Sequence, residues 1–300
     1  MNNEILLRRL SIIKLLFKSG LEQSKQSESI SFFSILSFHD SIEMFLKLAC
    51  EYKQIKSEKL SFIEYWDSLP HLTLKESMRN LNSRRVNLKH KGLVPAKIEV
   101  EASRINTIDF FEQNTKNTFG IEFNEISLLN LIKFEKTKKL LILSEAELHK
   151  TNFKESIKNT TIAFEELLDE YKENKIGTWD KNLFNFPNRI SLSNSFNSRY
   201  NKENKDNRLE NVVKSMNDKF DHLERALEII SFGFDFKKYS KFKMLCSDFY
   251  KTSNGDYLFY GKEEENNFNN ENSQFCLDFI LECSLKLQEF DYENPNIIRY

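Results

Sequence analysis

An all-α fold is the class this sequence predicts, and three observations predict it. Only 7 glycines and 4 prolines punctuate 300 residues, so few points force a helix to stop or a turn to take positive φ. Apolar residues make up 40% of the chain, with 27 phenylalanines among them, and they recur mainly at helical spacing. The 44 basic residues nearly cancel 45 acidic ones, which excludes both a disordered polyelectrolyte and a globally basic nucleic-acid coat. Any basic site must therefore be local. The length implies one large hydrophobic core or two modest ones.

The opening "NNEILLRRLSIIKLLFKSG" is an amphipathic helix: Leu6, Leu10, Ile13 and Phe17 share one face and pack on the domain. Arg8, Arg9, Lys14 and Lys18 interrupt its apolar runs long before a signal-peptide core could form. In "SESISFFSILSFHDSIEMFLKLACEYK", Ile35, Phe38, Ile42, Phe45 and Ala49 predict a long inner helix, with Asp40, Glu43, Lys47 and Glu51 on a second stripe. A short helical or looped stretch, "FIEYWDSLPHL", leads to Thr73. With Glu76 it has the spacing of a capping box opening a helix through Met78, Leu81 and Leu88 to about Lys91. Gly92 can close that helix in the left-handed conformation, and Pro95 prevents its resumption. Further helices are expected near 97–117, 125–148, 153–175, 207–231 and 273–289, with a hairpin turning on Asn254-Gly255. These elements suggest a helical domain over residues 1–175, an irregular Asn/Ser-rich linker over 176–206, and a mainly helical C-terminal unit over 207–300.

Several chemistries fall away. No two glycines lie close enough for a dinucleotide-binding or kinase glycine loop. Between Gly255 and Gly261 there are five residues where a phosphate-binding P-loop has four, and Glu263 replaces its Ser or Thr. The five histidines form no ligand pair of the His-x3-His kind, and Cys50, Cys246, Cys276 and Cys283 have no zinc-ribbon spacing. No metal and no cofactor is expected. Reduced cysteines and the lack of any bilayer-length apolar segment fit a reducing, cytoplasmic compartment with no membrane partner.

The local basic site is "RRVNLKHKG", residues 84–92. RNA can be cut without metal when its 2′-hydroxyl attacks the adjacent phosphate, provided one group moves the proton and a cation offsets phosphoryl charge. His90 can do the first and Arg85 the second, while Lys89 and Lys91 can hold flanking phosphates. Five positions along an ideal helix turn through about 140°, so Arg85 and His90 do not share a face of one helix. A two-fold homodimer bringing two such helix ends around one cleft would overcome this.

The Arg-x4-His element, its capped helix, the preceding "FHDSIEMFLK" helix and the wording "MRNLNSRRVNLKHKG" resemble uncharacterised bacterial members of the HEPN superfamily over roughly residues 25–150. That resemblance implies a helical bundle at the N-terminus. It also implies a metal-independent endoribonuclease acting on RNA as a homodimer, of the kind found in toxin–antitoxin and antiphage systems, with an inhibitory or sensor protein as partner. It makes Arg85 and His90 the motif residues. Arg84 also satisfies the family spacing, and Asn87 would supply the polar support that Val86 cannot. Two other readings stay open: an interaction subunit that binds a protein or RNA without cutting, for which Val86 is the discriminating feature, and a domain that senses a phosphorylated nucleotide.

Overall fold

A computed structural model describes residues 2–175, 207–252, 254, 256–260 and 267–289. The fold is mainly α, as the sequence predicts, and its described sheet is a single two-stranded hairpin. No described helix is long and apolar enough to cross a membrane. The chain divides into two compact units, Met1–Leu131 and Ile132–Tyr300.

In the first unit, helix α1 (Asn3–Ser24) starts from an Asn2 side chain that accepts the Glu4 N–H. It buries Leu6, Leu10, Ile13 and Phe17, the face its spacing predicts. A short helix α2 (Glu28–Ser31) precedes α3 (Ser34–Tyr52), so the long inner helix read from the sequence is broken near Phe32 and Phe33. The apolar stripe of α3 is fully buried from Ile35 to Ala49, because α1, α5 and α6 all pack against it. Phe45 meets Phe110, Phe111 and Phe119 edge-on, and Phe111 stacks on Phe123 with centroids 4.6 Å apart. The core is thus largely a phenylalanine cluster, whose ring contacts add to their burial.

The turn α4 (Tyr65–Ser68) leads into α5 (Lys75–Lys91) and α6 (Lys97–Phe119). The capping box expected at Thr73 and Glu76 is not formed. Leu74 occupies the cap in a left-handed conformation, φ 62°, and Thr73 is drawn away: its N–H donates to Asn114 Oδ1 and its hydroxyl to Gln113 Oε1, both on α6. Tertiary partners have overridden a local signal. Gly92 closes α5 with φ 66°, as predicted, and its N–H and that of Leu93 both reach the Asn87 carbonyl.

The helix expected over 125–148 begins later. Residues 123–131 form two 3-10 turns against α1, where Ser11 donates to the Ser127 carbonyl and Lys14 to the carbonyls of Asn124 and Ile126. Helix α7 (Glu135–His149) then starts under Glu170 of α8 (Phe153–Lys175). The Glu170 carboxylate accepts the Lys136 and Thr137 N–H groups, filling the free donors of a helix start with a negative charge. Ser144 and Ser156 join the same two helices from within. Both helices also pack on α11 of the second unit, and the unit boundary lies at Leu131, whereas the sequence suggested a domain over 1–175. The expected linker, 176–206, lies outside the described residues.

The second unit continues with α9 (Asn207–Ser231), α10 (Phe236–Leu245), the antiparallel strands β1 (Asp248–Lys251) and β2 (Tyr257–Tyr260), and α11 (Asn270–Glu289). The hairpin is where the sequence puts it, although Gly255 of its turn is outside the described residues. Its anchor is Glu166 of α8, a buried carboxylate that accepts from both Lys251 Nζ and the Tyr257 hydroxyl. Helix α10, unread in the sequence, begins with Asp235 accepting the N–H groups of Lys237 and Lys238. All four cysteines are free thiols.

Candidate functional site

Helix α5 has a narrow apolar stripe. Met78 and Leu81 are buried, Leu88 packs partly against the core, and the remaining faces are polar. Such a helix docks by one edge and presents its cationic residues on several sides. The helix runs unbroken through His90 to Lys91, so Arg85 and His90 stay about 140° apart around its axis.

Arg84 and Arg85 therefore have different surroundings. Arg84 turns to α6, where its Nη1 donates to Ser103 Oγ at 3.0 Å and its Nε to Glu99 Oε1 at 3.4 Å. Glu99 also accepts the Ala96 N–H that opens α6, so Arg84 is part of the α5–α6 joint. Arg85 is half-buried and lies near α3, where its charge acts on His39 and Glu43. Among the described residues it has no hydrogen-bond or ion-pair partner. Lys89, His90 and Lys91 are exposed and equally unpaired there, on the last turn before Gly92. Asn87 is half-buried and contributes its carbonyl to the helix cap; Val86 is half-buried beside it.

Facing Arg85 is an organised polar cluster. The ring of His39, 3% exposed, stacks on Phe62 at 4.3 Å. Its Nδ1 is 3.3 Å from Asp40 Oδ1, and its Nε2 is 3.1 Å from Asn82 Oδ1 on α5. Burial pushes the His39 pKa below its ordinary value, against the pull of Asp40, and the Arg85 charge pushes it the same way as burial. A neutral ring donates from Nε2–H to Asn82 Oδ1, and protonation at Nδ1 would add a donor toward Asp40. Glu43, held by Lys47 Nζ at 2.6 Å, has its carboxyl below the usual range. Glu43 and Lys47, four apart on α3, thus form an ordinary helical ion pair, and His39 is a buried, hydrogen-bonded histidine.

His39, Asp40 and Glu43 place one ligand atom each within 4.8 Å of one another, a group able to hold a cation. The sequence reading did not see it, because it rests on a His-Asp-x-x-Glu spacing rather than a histidine pair. Lys47 and Arg85 already offset these carboxylates, which makes the cluster a poor competitor for a divalent ion. An open depression of about 560 Å³ adjoins Glu43 and is lined by Lys47, Glu51, Lys56, Glu58 and Tyr65. Its carboxylates outnumber its lysines, so it is not a phosphate cradle, and none of the motif residues lines it.

No family model, no curated protein and no solved structure matches the chain. The functional reading rests on side-chain chemistry alone. Geometry adds to the sequence motif the identity of the uncommitted arginine and the α3 residues, His39 and Glu43, that face it. Both lie in "FHDSIE", but their approach to Arg85 depends on how α3 packs on α5.

Proposed function

We propose that the chain is a metal-independent endoribonuclease of the HEPN type, serving as a toxin or antiphage effector, with Arg85 and His90 as its working pair. The observation that carries this reading is Arg85 itself: a half-buried guanidinium without a hydrogen-bond or ion-pair partner among the described residues. A half-exposed guanidinium whose donors are not taken up by the described residues is open to a ligand, and a phosphate is the anion whose oxygens match its fork. The exposed Lys89, His90 and Lys91 extend the positive surface along the same helix end.

In this mechanism His90 accepts the 2′-hydroxyl proton, the 2′-oxygen attacks the adjacent phosphorus, and the 5′-oxygen departs. The product is a 2′,3′-cyclic phosphate. Arg85 offsets the charge that accumulates on the phosphoryl oxygens. Because α5 is regular through His90, the pair is assembled across two copies of the helix end. Leu93, Val94 and Ile98, 58%, 58% and 79% exposed, follow His90 closely in the chain and supply apolar surface for that pairing.

The same exposed trio supports a second reading, an interaction subunit whose basic end and apolar rim bind a partner protein without cleavage. Incubating the full chain with total RNA in chelator separates the two. The nuclease cuts, leaves cyclic or 3′-phosphate ends, and spares a substrate whose cleavage-site ribose is 2′-deoxy. Cutting of the deoxy substrate, or undiminished cutting by His90→Ala, would rule the mechanism out.

A further inference from the structure

Helix α9 has two apolar faces. One belongs to the second unit: Ile229 is fully buried, Arg225 pairs with Glu165, and Glu228 pairs with Lys172, both partners on α8. The opposite face exposes Met216, Phe220, Leu223, Leu227 and Ile230, each between 37% and 58% accessible. A row of five large apolar side chains on one helix is more than a scattered surface residue explains. Their positions advance by four, three, four and three, with Val213 three before Met216. That is the heptad of a coiled coil, with Val213, Phe220 and Leu227 at a and Met216, Leu223 and Ile230 at d.

We propose that this seam is a dimer interface, closed by α9 of a second copy as a parallel two-stranded coiled coil. The charges beside the seam argue for the occupant. Lys219 stands at the g position and Glu224 at the following e position, and neither has an ion-pair partner among the described residues. In a parallel pair each g faces the partner helix's e five residues on, so Lys219 of each copy meets the partner's Glu224, twice by symmetry. An antiparallel pair would set lysine against lysine and glutamate against glutamate. The f position, Arg225, is turned into the second unit, which leaves each helix one narrow seam and fits two strands. The proposal uses no residue of α5 and is read without RNA: a monomeric wild type would overturn it together with the two-copy nuclease site, whereas a dimer indifferent to Leu223→Glu would overturn it alone.

Sedimentation velocity on the full chain at micromolar concentration tests it. The wild type should sediment as a dimer, and Leu223→Glu should weaken that dimer by roughly thirtyfold or more while circular dichroism stays unchanged. Lys219→Glu and Glu224→Lys, both at the seam's edge, should each weaken self-association. Mixing the two variants should give a heterodimer tighter than either homodimer, and combining both changes in one chain should restore the wild-type dimer. If Leu223→Glu fails to fold, the edge variants decide alone. A monomeric wild type, a dimer indifferent to Leu223→Glu, or no preference on mixing would overturn the proposal.

Discussion

Arg84 and Arg85 are neighbours in sequence that serve different helices: Arg84 is bonded to Ser103 and Glu99 of α6, whereas Arg85 lies by His39 and Glu43 of α3 without a bond of its own among the described residues. Substitution should separate them. Arg84→Ala removes two half-exposed bonds across the α5–α6 joint and should cost about 1 kcal/mol of stability, with RNA cleavage lowered only slightly.

Arg85→Ala should do the reverse. Loss of a charge-stabilising donor costs about a hundredfold to a thousandfold in rate, and loss of a positioned acid/base about as much, so Arg85→Ala and His90→Ala should each nearly silence cleavage. Their melting temperatures should stay close to wild type, since neither side chain bonds to the described fold. A large activity loss in Arg84→Ala with unchanged stability would move the assignment to that arginine.

How much of this was legible in the sequence differs element by element. The helix end at Lys91 was signalled by Gly92, which does take positive φ, and the buried faces of α1 and α3 by their apolar spacing. What local signals could not foresee was competition from distant partners. Asn114 takes Thr73 from its capping box, and contacts with α1 hold 123–131 out of the helix its apolar residues suggested. Helix α10 escaped because four lysines in "FKKYSKFKML" break up its apolar period. Spacing alone also could not choose between Arg84 and Arg85, since only the packing of α6 commits the first.

Gly20 is where α1 approaches α3 most tightly. A Cβ built there would stand 2.8 Å from two ring atoms of Phe38 and 3.2 Å from Ser37 Cβ, and Phe38 is itself locked in the phenylalanine core. The ring cannot swing away without disturbing Phe17. Gly20→Ala should therefore destabilise the first unit by about 1–3 kcal/mol, although alanine is ordinarily the better helix former. Hydrogen exchange in α1 and α3 would register it as faster opening; a neutral or stabilising effect would mean the two helices move apart freely.

Glu166 should behave as the hairpin's anchor. Removing a buried carboxylate that accepts from Lys251 and Tyr257 frees β1 and β2 from α8, and Glu166→Ala should cost about 1–3 kcal/mol locally, because Lys251 can recover solvent. Exchange should quicken in 248–251 and 257–260 first, with the first unit unchanged. Equal protection of the hairpin in the variant would show that its aromatic pairs suffice.

Stability should also depend on pH through His39. Its folded pKa lies below the ordinary imidazole value of 6.5, because burial and then the Arg85 charge disfavour the cation more than Asp40 and Glu43 favour it. The unfolded chain therefore binds a proton that the folded chain refuses. The stability linked to this group is fully present above about pH 6.5 and is lost as pH falls through the lower folded value. His71, depressed by burial and by Lys53, adds an effect of the same sign. Melting temperature should thus fall between about pH 7 and pH 5.5, before the carboxylates begin to titrate. His39→Phe keeps a ring against Phe62 but cannot take up the proton, so this variant should start less stable, with Asp40 and Asn82 deprived of their bonds, yet show a shallower decline with acid. An unchanged slope in His39→Phe would assign the pH response to His71 or to another group.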